Sequence, residues 1–379
     1  MPISRSASSA LQSSLGPYLY ELRVGVEIFF ATSGFLLYRP FVLAHLSGRP
    51  APPLGSYSRR RFLRIYPAYW VALTVTVFAL GIGTFVSFRA AVANYALIQT
   101  YDWPRSVGTQ GLTIAWTLVI ELTFYVTLPL YAFVISRVGI RNRLRTAVVG
   151  ALLLVAAGIG FSAVWTFGTN PNGPLRYSLL ANLSPFGAGM FLAVASADEV
   201  VRGRARTWVE RLGRFPALWW GFAAVAWSSV IWLVHVPVIP EPGQVPTGRQ
   251  LFAESVIFSI VGAAMVVPVV LGEQRRGVTR AALRLRPVVY VGVVSYGIYL
   301  WHFPLAEKLL EWFDLVPATT NFFVITGATF ALSLAVATAS WFLLERPIVA
   351  FARRGFSGRN RPPPPATTAR VASTTPEPG

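Results

Sequence analysis

The feature that most constrains this chain is a succession of apolar runs of roughly 20 residues, separated by short polar gaps. A helix of that length rises about 30 Å, which is the thickness of the hydrocarbon core of a bilayer. The composition agrees, because 54% of the residues are hydrophobic and only 13% are charged, whereas about a quarter are charged in a soluble domain. The predicted fold class is an all-α polytopic membrane protein with about nine transmembrane helices. The predicted spans are residues 24–46, 62–84, 113–135, 146–168, 177–197, 217–236, 250–271, 288–306 and 320–343.

The positive charge lies in every second gap between the predicted spans. The formal net charge is +18, and Lys308 is the only lysine, so almost all of it is arginine. Short basic loops stay in the cytoplasm, so the alternation predicts a cytoplasmic C-terminus and, with nine spans, an N-terminus outside. A nucleic-acid partner is not expected, because the charge follows the membrane topology. The basic segments are 49–61, 137–145, 202–214, 275–286 and the tail from Arg346.

The chain divides into three predicted regions. Residues 1–23 form an N-terminal segment that we expect to be poorly ordered, and residues 24–347 form the transmembrane domain. Residues 348–379 form a basic, proline-rich cytoplasmic tail that is expected to be disordered. Residues 1–23 contain no signal peptide, although nine spans would place them outside. A further helix ahead of residue 24 is therefore expected to be missing from this sequence.

The sharpest candidate for chemistry is Glu121, about a third of the way into the predicted span 113–135. Ionisable groups inside a membrane are costly, so each one suggests a function. On a helix Glu121 shares a face with Thr117 and Tyr125, and this face must point into the bundle. The residue pattern fits a general acid or base, and it fits equally a structural hydrogen bond or ion pair between helices.

A second candidate is the arginine pair Arg61 and Arg64 at the cytoplasmic mouth of the predicted span 62–84. The two side chains share one helical face, and guanidinium groups bind phosphate bidentately. A cytosolic phosphorylated donor such as a coenzyme A thioester would fit them. Ordinary snorkelling of basic side chains at the membrane surface is the alternative. It explains Arg61 more easily than Arg64, which lies deeper.

The third candidate is His302, which shares a face with Ser295 and Tyr299 in the predicted span 288–306. A neutral histidine in the membrane could carry a proton. Chemistry alone favours a hydrogen-bonded histidine near the outer interface, flanked by Trp301 and Tyr299. The chain has no cysteine and only three histidines, so no metal centre and no bound cofactor are predicted.

Two weaker signals lie in the first predicted span. Glu27 is about one turn inside the outer interface, where water can reach it, and Ser33-Gly34 indicates a close helix contact.

Taken in order, these segments resemble the acyltransferase 3 family of membrane O-acyltransferases. The resemblance runs from about Val24 to Pro347, and each motif is mostly apolar and weak alone, but five occur in the family's order. They are Gly25–Leu36, Arg61–Pro67, Trp116–Tyr125, Ser295–Leu305 and Glu345–Pro347.

The resemblance implies a ten-helix domain that moves an acyl group, often acetyl, from cytosolic acyl-coenzyme A to a hydroxyl of a carbohydrate, glycan or glycolipid. It implies that acyl-coenzyme A is a co-substrate and that a carbohydrate or lipid-linked saccharide is the acceptor, at the inner (plasma) membrane. Arg61 and Arg64 would lie near the donor, and Glu121 in the core of the site. The family's first helix carries a basic residue and a histidine that residues 1–23 do not match. The resemblance therefore leaves the activity of the chain as written open, with His302 as the remaining candidate for a catalytic histidine.

Two rival functions stay open from the sequence. A transporter or flippase would move its substrate without regard to coenzyme A or to loss of Arg64. A non-catalytic remnant would bind coenzyme A without turnover. The outer gaps that would shape an acceptor pocket, at 85–112, 169–176 and 237–249, carry no readable pattern.

Overall fold

The computed structural model describes residues 18, 20–101, 111–138, 141–168, 174–204, 207–234, 246–272, 277–315 and 322–354. Within these residues all regular structure is helical, with no strand. Nine of the described helices are long and apolar enough to cross a membrane, which confirms the predicted fold class and number of spans. Their α-helical parts are α1 (Gly25–Leu46), α2 (Leu54–Thr74), α3 (Trp116–Val138), α4 (Arg143–Gly168), α5 (Leu183–Arg202), α6 (Pro216–Ser229), α7 (Gly248–Val270), α8 (Arg286–Trp312) and α9 (Phe322–Ser340).

The largest difference from the predicted boundaries is the start of α2. The predicted span begins at residue 62, but the helix begins at Leu54, so Arg59, Arg60 and Arg61 lie on its first turns. Hydropathy does not detect these turns because they are amphipathic and polar on average. The π-helical segments Val75–Ala79, Val230–Val234 and Trp341–Glu345 continue α2, α6 and α9.

The core of the bundle is built on the contact between α1 and α5. Gly34 and Gly189 let the two backbones meet, because a methyl group at Gly34 would lie 2.2 Å from the carbonyl oxygen of Phe186. This confirms the close contact predicted at Ser33-Gly34. The ring of Phe186 is fully buried, and it stacks on Phe30 at 4.7 Å and on Phe124 at 4.1 Å, which brings α3 onto the same core.

The segment between α2 and α3 folds back and packs along the side of α2. The helix Phe88–Tyr95 and the turn after it accept three hydrogen bonds from α2 to backbone carbonyls. Tyr66 Oη donates to Ala96 at 3.0 Å, Tyr69 Oη to Asn94 at 2.7 Å, and Trp70 Nε1 to Tyr95 at 3.0 Å. The π-helical extension of α2 ends at Ala79, about 15 Å of helix rise beyond Tyr69, so these hydrogen bonds lie well below the end of the helix. The described part of the gap at 85–112 is thus not a simple outer loop.

Residues 20–23 of the N-terminal segment are packed against the bundle. They enter α1 through the 3₁₀ turn Glu21–Val24, and Glu21 is 2% exposed. Trp227 Nε1 of α6 donates to the carbonyl oxygen of Glu21 at 2.9 Å, and Arg23 joins Glu21 to Glu254 of α7. These hydrogen bonds and ion pairs to α6 and α7 hold the polar segment in place, which its composition alone would not predict.

At the other end, a helix covers Arg346–Arg354 and includes the first residues of the predicted tail, 348–354. The rest of the predicted tail, residues 355–379, and residues 1–17 and 19 lie outside the described residues.

Candidate active site

A cavity of about 510 Å³ lies among α1, α2, α3 and α8. The four residues that the sequence singled out, Arg61, Arg64, Glu121 and His302, all line it. They come from three different helices, so the bundle brings together groups that are far apart in the chain. The rest of the lining consists of apolar side chains, a few hydroxyl groups and one further charged residue, Arg23.

Glu121 lies on the buried face of α3, and its side chain is held by two hydroxyl groups. Tyr125 Oη, one turn along the same helix, donates a hydrogen bond to Oε1, and Ser33 Oγ of α1 donates to the same oxygen at 3.5 Å. Oε2 accepts no hydrogen bond from the residues that the structure describes. The carboxylate is 5% exposed, so it is fixed in place with one oxygen still available to a ligand.

Arg61 and Arg64 lie on the face of α2 that borders the cavity. The guanidinium of Arg61 lies 5.8 Å from the ring of Tyr57 and 5.6 Å from that of Tyr125, and its buried Nε has no acceptor among the described residues. Arg64 is exposed and interacts electrostatically with the carboxylates of Glu121 and Glu345. The two arginines therefore present positive charge and unused donors to the cavity.

The helix that carries His302 is longer than its predicted span. The predicted span ends at residue 306, but α8 continues to Trp312, about 15 Å of helix rise beyond His302. The added turns are polar, with an ion pair between Lys308 and Glu311 at 2.5 Å. The position of His302 near the outer interface stays a prediction.

The tautomer of His302 follows from its backbone contact. Nδ1 lies 2.8 Å from the carbonyl oxygen of Tyr299, and a carbonyl oxygen can only accept, so Nδ1 carries the proton. In the neutral ring Nε2 is then a hydrogen-bond acceptor. Tyr299 is itself fixed, because its hydroxyl donates to the carbonyl oxygen of Ile114 at 2.6 Å and is also hydrogen bonded to Thr117.

One residue of the cavity was missed by sequence reasoning. Arg23 lines the end of the cavity near the start of α1, the end that the predicted topology places outside. Its position directly before an apolar run, on the side predicted to carry few basic residues, is the signal that could have found it. Among the described residues no group of three or more histidine, cysteine, aspartate or glutamate side chains could hold a metal ion.

Comparison of the sequence with known protein families shows to which family the chain belongs. The family model described as the acyltransferase domain of acyltransferase 3 matches residues 6–339. The chain belongs to the acyltransferase 3 family. It is an acyltransferase, and its described apolar helices make it a multi-pass membrane protein. No solved structure matches it.

Three curated relatives are similar over most of the chain. Nodulation protein 10 of Rhizobium leguminosarum bv. viciae is 26% identical over 88% of this chain and 84% of its own length. The acyltransferase MdmB of Streptomyces mycarofaciens is 25% identical over 74% of this chain and 67% of its own. The O-acetyltransferase OatA of Staphylococcus aureus is 21% identical over 86% of this chain. This chain spans 52% of the length of OatA.

Proposed function

We propose that this acyltransferase moves an acyl group, most simply acetyl, from cytosolic acyl-coenzyme A to a hydroxyl of a saccharide on the outer side of the inner (plasma) membrane. One observation carries the proposal: a single cavity reaches from Arg61 near the cytoplasmic start of α2 to Arg23 at the outer start of α1. Along α1 it extends from Leu22 to Leu37, roughly 22 Å of helix rise. That is most of the thickness of a hydrocarbon core, which is about 30 Å.

Arg61 and Arg64 form the donor end in this proposal. Coenzyme A carries phosphate groups, and guanidinium groups bind phosphate through paired charge-assisted hydrogen bonds. The unused Nε of Arg61 and the exposed guanidinium of Arg64 are suited to that contact. The pantetheine arm of the donor would then extend into the apolar part of the cavity and bring the thioester to Glu121.

Glu121 is assigned as the general base. It takes the proton of the acceptor hydroxyl, whose oxygen attacks the thioester carbonyl carbon. The tetrahedral intermediate collapses with cleavage of the carbon–sulfur bond, and the coenzyme A thiolate leaves and takes up a proton. His302, with Nε2 as acceptor, orients the attacking hydroxyl. The apolar walls limit hydrolysis of the thioester by water.

The test uses the purified full chain in proteoliposomes with labelled acetyl-coenzyme A and a saccharide or lipid-linked saccharide fraction. Label in the acceptor together with released coenzyme A thiol is the expected result. Substrate flux that does not depend on coenzyme A or on Arg64 would instead indicate a transporter or flippase. Binding of coenzyme A without label transfer would indicate a non-catalytic protein.

Arg64→Ala is expected to weaken coenzyme A binding about tenfold, because one charge-assisted hydrogen bond contributes about 1.5 kcal/mol. The measurement is the dissociation constant of coenzyme A for the detergent-solubilised protein. Arg60→Ala is the matched control, since Arg60 is an exposed arginine on the same helix that does not line the cavity. Equal affinities of the two variants would remove Arg64 from the donor site.

His302→Gln is expected to lower the transfer rate about tenfold, because one oriented hydrogen bond to the acceptor is lost. The comparison is with His45→Gln, since His45 lies at the cytoplasmic end of α1, away from the cavity. The initial rate of acetyl transfer is measured for both. If His302→Gln lowered the transfer rate as much as Glu121→Gln, or more, His302 and not Glu121 would be the general base.

A further inference from the structure

A second cavity of about 310 Å³ lies beside the first and has no role in the donor chemistry. It is formed by the starts of α1, α3 and α7, the end of α4 and the segment that leads into α5. These helix ends all lie on one side of the bundle, because successive spans alternate in direction. The basic gaps lie on the other side, so this cavity faces away from the cytoplasm.

The walls of this outer cavity combine aromatic rings with charged groups. Trp116 and Tyr177 pack edge to face with ring centroids 5.2 Å apart, and they form an apolar corner. Glu27, Glu254 and Arg176 supply carboxylate and guanidinium groups to the same space. A sugar ring matches this combination, since its C–H face packs on aromatic rings and its hydroxyl groups bond to carboxylates and guanidinium groups.

The charged groups are already oriented without a ligand. Arg23 donates to Glu254 at 3.0 Å and to Glu21 at 3.2 Å, and its guanidinium lies 4.4 Å from the ring centre of Tyr20. Arg176 lies 3.9 Å from Glu254. Because these side chains hold one another in place, a ligand would meet a rigid wall and little ordering entropy would be lost on binding.

Glu27 is the carboxylate of this cavity that forms no ion pair within 4 Å in the part of the chain that the structure describes. It interacts electrostatically with Arg23 and Arg176 and accepts a hydrogen bond from its own backbone, but no side chain of the described residues is hydrogen bonded to it. It lines the cavity inside a predicted span, where a carboxylate costs free energy that further donors reduce. A hydroxyl group of a ligand would supply one more hydrogen bond.

The two cavities share Arg23 and Val26 in their linings. We infer that the outer cavity is the acceptor site, and that it binds one sugar ring presented from the outer side, with Glu27 bonded to a hydroxyl and the ring against Trp116 and Tyr177. The hydroxyl to be acylated then points past Arg23 and Val26, where the two cavities adjoin, into the cavity of Glu121 and His302. This inference rests on the proposed function, since it supplies the acceptor for the same transfer.

The chain has no cysteine, so a single introduced thiol can report on the outer cavity. Ser255 lines that cavity and none of the first one, and Ser255→Cys is a small change. Right-side-out vesicles carrying Ser255→Cys are treated with a membrane-impermeant maleimide, with and without methyl glycosides of glucose, galactose and N-acetylglucosamine. At about ten times its dissociation constant a bound sugar is expected to slow labelling about tenfold, since the free fraction falls by that factor.

Ser87→Cys is the control, because Ser87 is exposed on the same side of the bundle and lines neither cavity. Its labelling should not change with any sugar. The inference would be overturned if Ser255→Cys were labelled from the cytoplasmic side alone. It would also be overturned if no sugar slowed the labelling while the same vesicles acylated an acceptor. Absence of acyl transfer in the wild-type protein, with sugar protection intact, would instead contradict the proposed function and leave the sugar site standing.

Glu27→Gln provides a second measurement that separates acceptor from donor. It is expected to raise the KM for the acceptor about tenfold, because a hydrogen bond to a charged group is weakened, while the dissociation constant of coenzyme A stays unchanged. A merely structural role of Glu27 would lower the amount of folded protein without changing the KM for the acceptor. An unchanged acceptor KM in folded protein would contradict the assignment.

Discussion

Replacing Glu121 by glutamine is expected to lower the rate of acyl transfer by about 10² to 10⁴-fold, the range in which positioned acid–base groups contribute. Glutamine has nearly the size of glutamate, and its carbonyl oxygen can accept the hydrogen bonds of Tyr125 and Ser33. The contact of α1 with α3 is therefore retained, and only the capacity to take up a proton is lost. The measurement is the initial rate of acetyl transfer in proteoliposomes, with thermal unfolding of the same preparation.

Glu307→Gln is the matched control, since it makes the same change at an exposed position of α8 outside the cavity. It should keep the wild-type rate. A folded Glu121→Gln protein with an undiminished rate would show that Glu121 is a structural hydrogen-bond acceptor. The alternative that the sequence left open would then be the right one.

Replacing Gly189 by alanine is expected to destabilise the protein by about 2 to 3 kcal/mol, at the upper end of the cost of overpacking. The added methyl group would lie 1.9 Å from the carbonyl oxygen of Ala31. Because the obstacle is backbone and cannot rotate away, α1 and α5 would have to separate. The measurement is thermal unfolding in detergent.

The control is Gly160→Ala in α4, where a methyl group would meet no atom within 4 Å. That change should be neutral or stabilising by up to about 1 kcal/mol, because alanine favours the helix over glycine. Equal unfolding temperatures of the two variants would show that the contact of α1 with α5 can relax. Activity of the Gly189 variant should also fall, since α1 carries both Ser33 and Arg23 to the cavity.

The two largest expected effects are linked through α1. One face of this helix meets α5 at backbone distance, and another carries Ser33 to the carboxylate of Glu121. Its first turn and the residues just before it contribute Arg23 and Val26 to both cavities. The position of this single helix therefore sets the donor chemistry and the boundary with the outer cavity together.

Much of the candidate site could be recognised before the fold was known. Arg64, Glu121 and His302 stand out because an ionisable side chain inside an apolar run is costly and needs a reason. Their meeting in one cavity could not be read from spacing, since α2, α3 and α8 are far apart in the chain. The end of α8 was also placed too early, because hydropathy ends the span at the first charged residues whereas the helix continues through the ion pair of Lys308 and Glu311.

The sequence by itself determined the membrane character, the nine spans found among the described residues, and the ionisable groups worth testing. It could do so because the thickness of the bilayer fixes the length of an apolar helix, and because every buried charge has a cost. Only the tertiary structure decided that the helix Phe88–Tyr95 lies along α2, that Arg23 borders two cavities, and that Glu27 lines the outer cavity beside Arg23 and Arg176. These features depend on hydrogen bonds and close contacts between segments distant in the chain, which no local pattern of apolar and polar residues encodes.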